Sequence, residues 1–352
     1  MLMTCRPRLV APLLIFGTGL LLAGPLCAQK LVVSPSTYQF KPLDEVLDQD
    51  QKALDKNFTV LVNKNTQLVY AKEMGDAKAN MPVAVGSISK WLTAALTLTL
   101  VDQGKLSLDD KVSTYLPIFK TYGKGFITIR QCLTHFTGLA TAGIGGIHIG
   151  KYPTLEAEVN DICAKREIQT NPGTEFRYSE IGYAIVGRVL EVITKKPFDR
   201  LMKETLFRPL NMQRSGFPTG EYAVDPAEGA LCTPAELLNF TAMVLNKGLF
   251  SGKRILSEVS IAELLKPETT AAQIKSSPIG VDGYTYALGA WIQSTDAGGL
   301  PAVVCAPSLK GSWAFIDLTR GYAAVIVVNK EFGEPKKQVY VGIQSAIGQA
   351  LQ

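Results

Sequence analysis

The chain has 352 residues, with 36 lysines and arginines against 31 aspartates and glutamates, for a formal charge of +5. That excess is too small to build a nucleic-acid surface, and no nucleic-acid partner is expected. With 47% hydrophobic and only 19% charged residues, the sequence is too apolar for a disordered chain and long enough to bury a substantial core.

The first stretch reads as a targeting segment. Arg6 and Arg8 give a positive start, residues 9–22 are apolar, and Leu26-Cys-Ala28 offers a small residue at a cut before Gln29. Residues 1–28 are therefore expected to be a cleaved signal peptide and 29–352 the mature domain, exported to the periplasm or secreted. The apolar run is short for a span, so no stable membrane anchor is expected after cleavage. Cys27 makes a lipoprotein the alternative, but Gly24-Pro-Leu lacks the small residues that precede a lipidated cysteine.

Four cysteines remain beyond the signal: Cys132, Cys163, Cys232 and Cys305, widely spaced and without a Cys-x-x-Cys. Export permits disulfides, yet a chain of this size does not need them, and free buried thiols are the expected state. The histidines are His135 and His148 only. Two histidines with no clustered cysteine or acid do not make a catalytic zinc site, so neither a metal nor another cofactor is expected. The count alone leaves a Ser-His-Asp triad open.

Helical spacing covers 44–56, with Leu43, Val46, Leu47 and Leu54 apolar. Strands are expected at 58–62 and 67–70, flanking the hairpin signal Asn63-Lys-Asn-Thr66. From Trp91 to about Lys266 helical patterns dominate, broken by Gly and Pro turns. Strands return at 286–292, 302–305, 312–316 and 322–328, and 337–351 closes as a helix. Strands at both ends with helices between them predict an α+β fold. Its antiparallel sheet comes from both chain ends (about 42–80 and 284–352), with flanking helices and a mostly helical insert (about 86–270).

Ser87-Ile-Ser-Lys90 opens the first of those helices, followed directly by the apolar run 91–101. Residues three apart share a helix face, so the Lys90 amine is held beside the Ser87 hydroxyl. A serine becomes a useful nucleophile when a neighbouring base takes its proton, and a lysine serves if burial lowers its pKa. Gly86 precedes the serine at a tight entry, which puts the hydroxyl at the positive end of the helix. By itself the tetrad also fits an N-cap serine with a solvated lysine.

Further motifs follow in order: Asp102-Gln-Gly-Lys-Leu-Ser-Leu-Asp-Asp110, Leu133-Thr-His-Phe-Thr-Gly-Leu139, Pro172-Gly-Thr-Glu-Phe-Arg-Tyr-Ser-Glu-Ile-Gly-Tyr183 and Phe207-Arg-Pro-Leu-Asn-Met212. Together with the tetrad, over roughly 58–330, they make the chain resemble the serine beta-lactamase-related family of class C beta-lactamases, DD-peptidases and esterases. The resemblance implies a beta-lactamase/transpeptidase-like fold, a site between sheet and helical insert, and Ser87, Lys90 and Tyr178 as its catalytic residues. Tyr178 falls in the family's Tyr-x-Asn, where a tyrosine shuttles the serine proton as a phenolate if a nearby ammonium lowers its pKa. Tyr183 is the rival core tyrosine. His135 matches a structural position, and His148 lies in a glycine-rich loop.

Two departures stand out. Glu180 replaces the family's asparagine; a carboxylate only accepts hydrogen bonds, and it would pair with Lys90 and keep it charged. The family's Lys-Thr-Gly or His-x-Gly corresponds to Ala306-Pro-Ser308, which has neither cation nor glycine and leaves Ser308 as its substrate-binding candidate beside Glu180. Lys310-Gly-Ser312 looks too close to the following strand to be the same element, and the second oxyanion-hole N–H is not fixed by sequence. Glu236-Leu-Leu-Asn239 resembles a class A deacylation segment, but its flanks match a scaffold helix.

The expected function is an exported serine hydrolase acting through an acyl-enzyme on Ser87, on an ester or amide without a carboxylate anchor. The alternatives are a class C-like beta-lactamase or DD-peptidase, and a catalytically weak or inactive binding member. The expected partner is a small-molecule or peptide-like substrate.

Overall fold

The computed structural model describes residues 31–34, 37–141, 152–328 and 337–352; the expected signal peptide and His148 lie outside them. The hairpin signal folds as read. β1 (Phe58–Lys64) and β2 (Gln67–Met74) are joined through Asn65 and Thr66, at φ 52° and 63°. Two successive residues at positive φ give the turn hand that matches strand twist.

The C-terminal strands are β3 (Thr285–Tyr286), β4 (Trp291–Thr295), β5 (Pro301–Pro307), β6 (Trp313–Asp317) and β7 (Tyr322–Val328). All seven form one antiparallel sheet in the order β2-β1-β7-β6-β5-β4-β3. β7 pairs with β1 from Phe58↔Val328 to Lys64↔Tyr322, so the two ends of the chain meet at the sheet centre.

Successive side chains on a strand point to opposite faces, and here both faces are covered. Leu61, Ala323 and Val325 join the core beneath the helical part. Phe58, Val60, Val62, Tyr322, Ala324 and Ile326 join a second core on the opposite face. The helices Lys41–Asp50 and Lys337–Ala350 pack against each other over that second core, while Pro234–Leu245 lies against β1, β6 and β7. This double cover explains why β7 reads as unbroken apolar sequence rather than as an alternation.

Two expected elements come out shorter. The first helix stops at Asp50, and the chain turns through Asp55 and Lys56 at φ 57° and 53°, although Leu54 stays buried. The strand expected at 286–292 is broken between Tyr286 and Trp291, where Ala287 N–H closes a turn on Ala290 O at 2.9 Å. Gly289 sits there at φ 80°, and a Cβ on it would lie 2.5 Å from the Lys90 carbonyl oxygen. The sheet is thus bent to admit the backbone of the Ser87–Lys90 turn.

The helix carrying that turn runs Ile88–Asp102 and is buried from Ile88 to Leu100. A helix that is apolar all round is one enclosed on every side. Its threonines are satisfied locally or by the neighbouring loop, Thr97 Oγ1 to Thr93 O at 2.8 Å and Thr93 Oγ1 to Pro226 O at 2.7 Å. Leu92→Ala or Leu96→Ala in this setting would cost about 2–5 kcal/mol. Of the described residues, no helix is long and apolar enough to cross a membrane. Cys132, Cys163, Cys232 and Cys305 are free and buried.

Candidate active site

Gly86, at φ 53°, turns the chain from the short strand Val83–Ala84 into the nucleophile helix. A Cβ at Gly86 would overlap Ser308 Oγ and approach Lys310 Cγ at 2.9 Å, so only glycine lets the Ser308–Ser312 turn come this close to Ser87. Ser89 Oγ donates to Gly86 O at 2.6 Å and accepts Ala230 N–H at 3.0 Å, tying the helix start to the loop before Leu231.

Ser87 occupies the N-cap position but makes no side-chain cap bond. Its hydroxyl donates to Glu228 Oε1 at 2.8 Å. The N-cap alternative is therefore not what the hydroxyl does. Lys90, one turn on and 0% exposed, donates to Ala227 O and to Glu228 Oε1, each at 3.3 Å. The Asp225–Gly229 turn that presents these acceptors is stiff. Asp225 Oδ1 takes the N–H groups of Ala227 and Glu228 at 2.8 and 3.1 Å, and Asp225 O takes that of Gly229 at 2.9 Å.

Tyr178 is anchored through its N–H to Ser276 O at 3.1 Å, and its phenol lies within hydrogen-bonding reach of Ser87. Its ring leans on His135 with centroids 4.4 Å apart, with Trp291 at 5.8 Å, and Lys90 Nζ stands 4.8 Å from its centroid. His135 is scaffold, as expected. At φ 60° it accepts Ser179 N–H on Nδ1 at 3.2 Å and meets Tyr286 Oη through Nε2 at 3.1 Å. Burial, then the charge of Lys90, hold it well below the usual histidine pKa and hence neutral. Tyr183 is a core tyrosine whose hydroxyl donates to Leu133 O at 2.8 Å.

The charges revise three expectations. Burial alone would push the Lys90 ammonium down. The negative charge that Tyr178 would carry as a phenolate, and the carboxylates of Glu228, Glu180 and Asp225, outweigh it and hold the amine above its ordinary value, so Lys90 is cationic at rest. Burial raises the Tyr178 phenol more than Lys90 lowers it, which makes Tyr178 a neutral donor rather than a resting phenolate. The carboxylate in contact with Lys90 is Glu228, not Glu180. Glu180 stands at the N-cap position of the helix Ile181–Thr194, without a side-chain cap bond, and reaches Lys90 through its charge.

The third wall also differs. Ser308, 3% exposed, is brought to the nucleophile, but its hydroxyl accepts Lys310 N–H at 3.1 Å within its own turn. Lys310, set aside in the sequence because of its closeness to β6, lies over Gly86 and is near enough to Glu228 to lower that carboxylate's pKa. Pro307 has no N–H, and Ser308 N–H is used by Ser312 O at 2.9 Å, so neither donates into the cleft.

Glu236 is structural. Its carboxylate accepts Ser215 Oγ at 2.6 Å and Arg214 N–H at 3.0 Å at the start of its helix. Among the described residues no cluster of His, Cys, Asp and Glu is arranged to hold a metal ion. Glu228 was missed because the scaffold pattern read in sequence began one residue later, at Gly229. An acidic side chain inside the apolar stretch Ala227–Leu231 was the available signal.

A buried serine–lysine turn faced by a tyrosine, between a two-ended antiparallel sheet and a helical insert, defines a class of serine acyl-transfer proteins. The family profile described as Beta-lactamase matches residues 51–344, and the chain belongs to that family. It is 31% identical over 209 residues to Penicillin-binding protein 4 of Amycolatopsis lactamdurans, covering 50% of this chain and 54% of that one. The chain thus spans about half the length of the curated relatives it matches. In fold it resembles a penicillin-binding protein homolog from Caulobacter crescentus (TM-score 0.73, 16% identity, 91% and 99% of the two chains). It also resembles EstCE1, a hydrolase with promiscuous acyltransferase activity (TM-score 0.71, 19% identity, 88% and 99%).

Proposed function

We propose that this protein is an exported serine hydrolase that cleaves an ester or amide through an acyl-enzyme on Ser87. The observation that carries the reading is that Ser87 Oγ and the enclosed Lys90 Nζ both donate to Glu228 Oε1, with Lys90 Nζ 4.8 Å from the Tyr178 ring centroid, at the start of a helix buried from Ile88 to Leu100. Ser87 is the nucleophile. Lys90 offsets negative charge that develops beside it. Glu228 and Glu180 make the approach to Ser87 acidic, which favours substrates without a carboxylate. Export rests on the charged start, apolar run and small-residue cut within 1–28.

One observation favours a second reading. Lys310 brings a cation to the rim where a substrate carboxylate would dock, as a beta-lactamase or DD-peptidase requires. Steady-state hydrolysis of short-chain aryl esters against nitrocefin and a D-Ala-D-Ala peptide separates the two. The leading reading expects ester turnover, abolished by Ser87→Ala, to exceed the others by more than tenfold in kcat/KM. Faster nitrocefin or peptide cleavage would transfer the assignment to the second reading.

A further inference from the structure

Resting on that hydrolase reading, we infer that Glu228 is the residue that takes the Ser87 proton, so that the base of this site is a carboxylate rather than a lysine. Ser87 Oγ already donates to Glu228 Oε1 at 2.8 Å, the separation from which a proton passes directly. The other two candidates are otherwise engaged. Lys90 is wholly enclosed and spends its hydrogens on Ala227 O and on the same Oε1 atom. Tyr178 is held above its ordinary phenol value, chiefly by burial, which disfavours the phenolate that would take a proton.

The Glu228 side chain is 35% exposed, so it reaches the cleft where a leaving group or water would stand. Its backbone does not wander, because Asp225 Oδ1 holds its N–H and Thr93 holds Pro226 O. The charged and titratable groups facing it are Lys90 and Lys310, which favour its ionised form, and Asp225 and Tyr178 on the other side. The cations and the Ser87 hydrogen bond outweigh burial and hold its carboxyl below the ordinary glutamate value, so it is ionised throughout the neutral range.

The chemistry closes on these groups with water as the co-reactant. Ser87 Oγ bonds to the substrate carbonyl carbon as its O–H bond breaks; the proton goes to Glu228 and the carbonyl π pair to oxygen. Collapse restores the carbonyl and breaks the bond to the leaving alcohol, which carries off the proton from Glu228. In the second half a water gives its proton to Glu228 while its oxygen attacks the acyl carbon, and Ser87 Oγ leaves with that proton. The Ser87–Lys90 turn is thereby reduced to nucleophile and fixed charge.

The test compares wild type, Ser87→Ala, Glu228→Gln and Glu228→Asp on p-nitrophenyl butyrate, with fluorophosphonate labelling and circular dichroism on each. Glu228→Gln, folded, is expected to lose about 10²–10⁴-fold in kcat. It should also lose the acidic limb of the wild-type pH–rate profile, and Glu228→Asp should restore part of both. A folded Glu228→Gln within twofold of wild type, or faster, with its acidic limb intact and with Ser87→Ala silent, would overturn the inference while leaving the hydrolase reading standing. A wild type that neither labels nor turns over would overturn both.

Discussion

The floor and the rim of this cleft are built on different principles. The floor is one helix, Ile88–Asp102, enclosed from Ile88 to Leu100, and it places Ser87 and Lys90 by local geometry alone. The rim is assembled from segments far apart in sequence: Glu228 is 141 residues from Ser87, and Lys310 arrives on a turn of the distal sheet. The floor fixes where chemistry occurs, and the rim sets its charge. Changes to the floor should therefore abolish or unfold, while changes to the rim should tune.

The largest expected effect lies at the junction. Lys90→Met removes the cation that donates to Glu228 Oε1 and should reduce ester turnover by at least 10²-fold. Because Lys90 holds the Glu228 carboxyl down, the acidic midpoint of any residual activity should move to higher pH. A midpoint unmoved in a folded variant would break the link between floor and rim.

Next is Gly289→Ala, which tests the sheet's accommodation of the floor. Its positive φ and the clash with Lys90 O predict a loss of about 2–3 kcal/mol in chemical denaturation. A variant as stable as wild type would mean that the Ser87–Lys90 turn has slack.

A third test sits behind the rim. Glu158 is buried, both its carboxylate oxygens lack hydrogen-bond partners among the described residues, and burial followed by the charge of Asp225 pushes its pKa from 4.5 up to about 8. The folded state thus binds this proton more tightly than the unfolded one. That stability is fully present below about pH 4.5 and is lost as pH rises towards 8. At about 1.4 kcal/mol per pKa unit, this is a slope of a few kcal/mol. Glu158→Gln should flatten it in a series of melts from pH 5 to 9, and an unchanged slope would refute the assignment.

The smallest effect is expected at Glu180. Its charge reaches Lys90 without a direct bond, so Glu180→Asn should change kcat by less than tenfold, well short of Glu228→Gln. Equal losses in the two variants would erase the distinction between a contacting and a remote carboxylate.

How much of this was legible in sequence follows the same division. The Ser-x-x-Lys turn, the hairpin at Asn65-Thr66 and the β7 run were readable because each depends on neighbours within a few residues. The break at Gly289 was not, because the glycine answers to a backbone two hundred residues away. Glu180 was taken as Lys90's partner since it was the acidic departure inside a recognised motif, whereas Glu228 lay outside any. The state of Lys90 and Tyr178 stayed conditional in sequence for a related reason. Which way burial and facing charges shift a buried group depends on their sum, and that sum needs positions.

The most direct test of the account is the site of covalent capture. The intact protein would be treated with a fluorophosphonate, digested, and its peptides read by mass spectrometry beside Ser87→Ala. The account expects one adduct, on the peptide bearing Ser87, absent from the variant. An unlabelled wild type, or an adduct on any other residue, would contradict it.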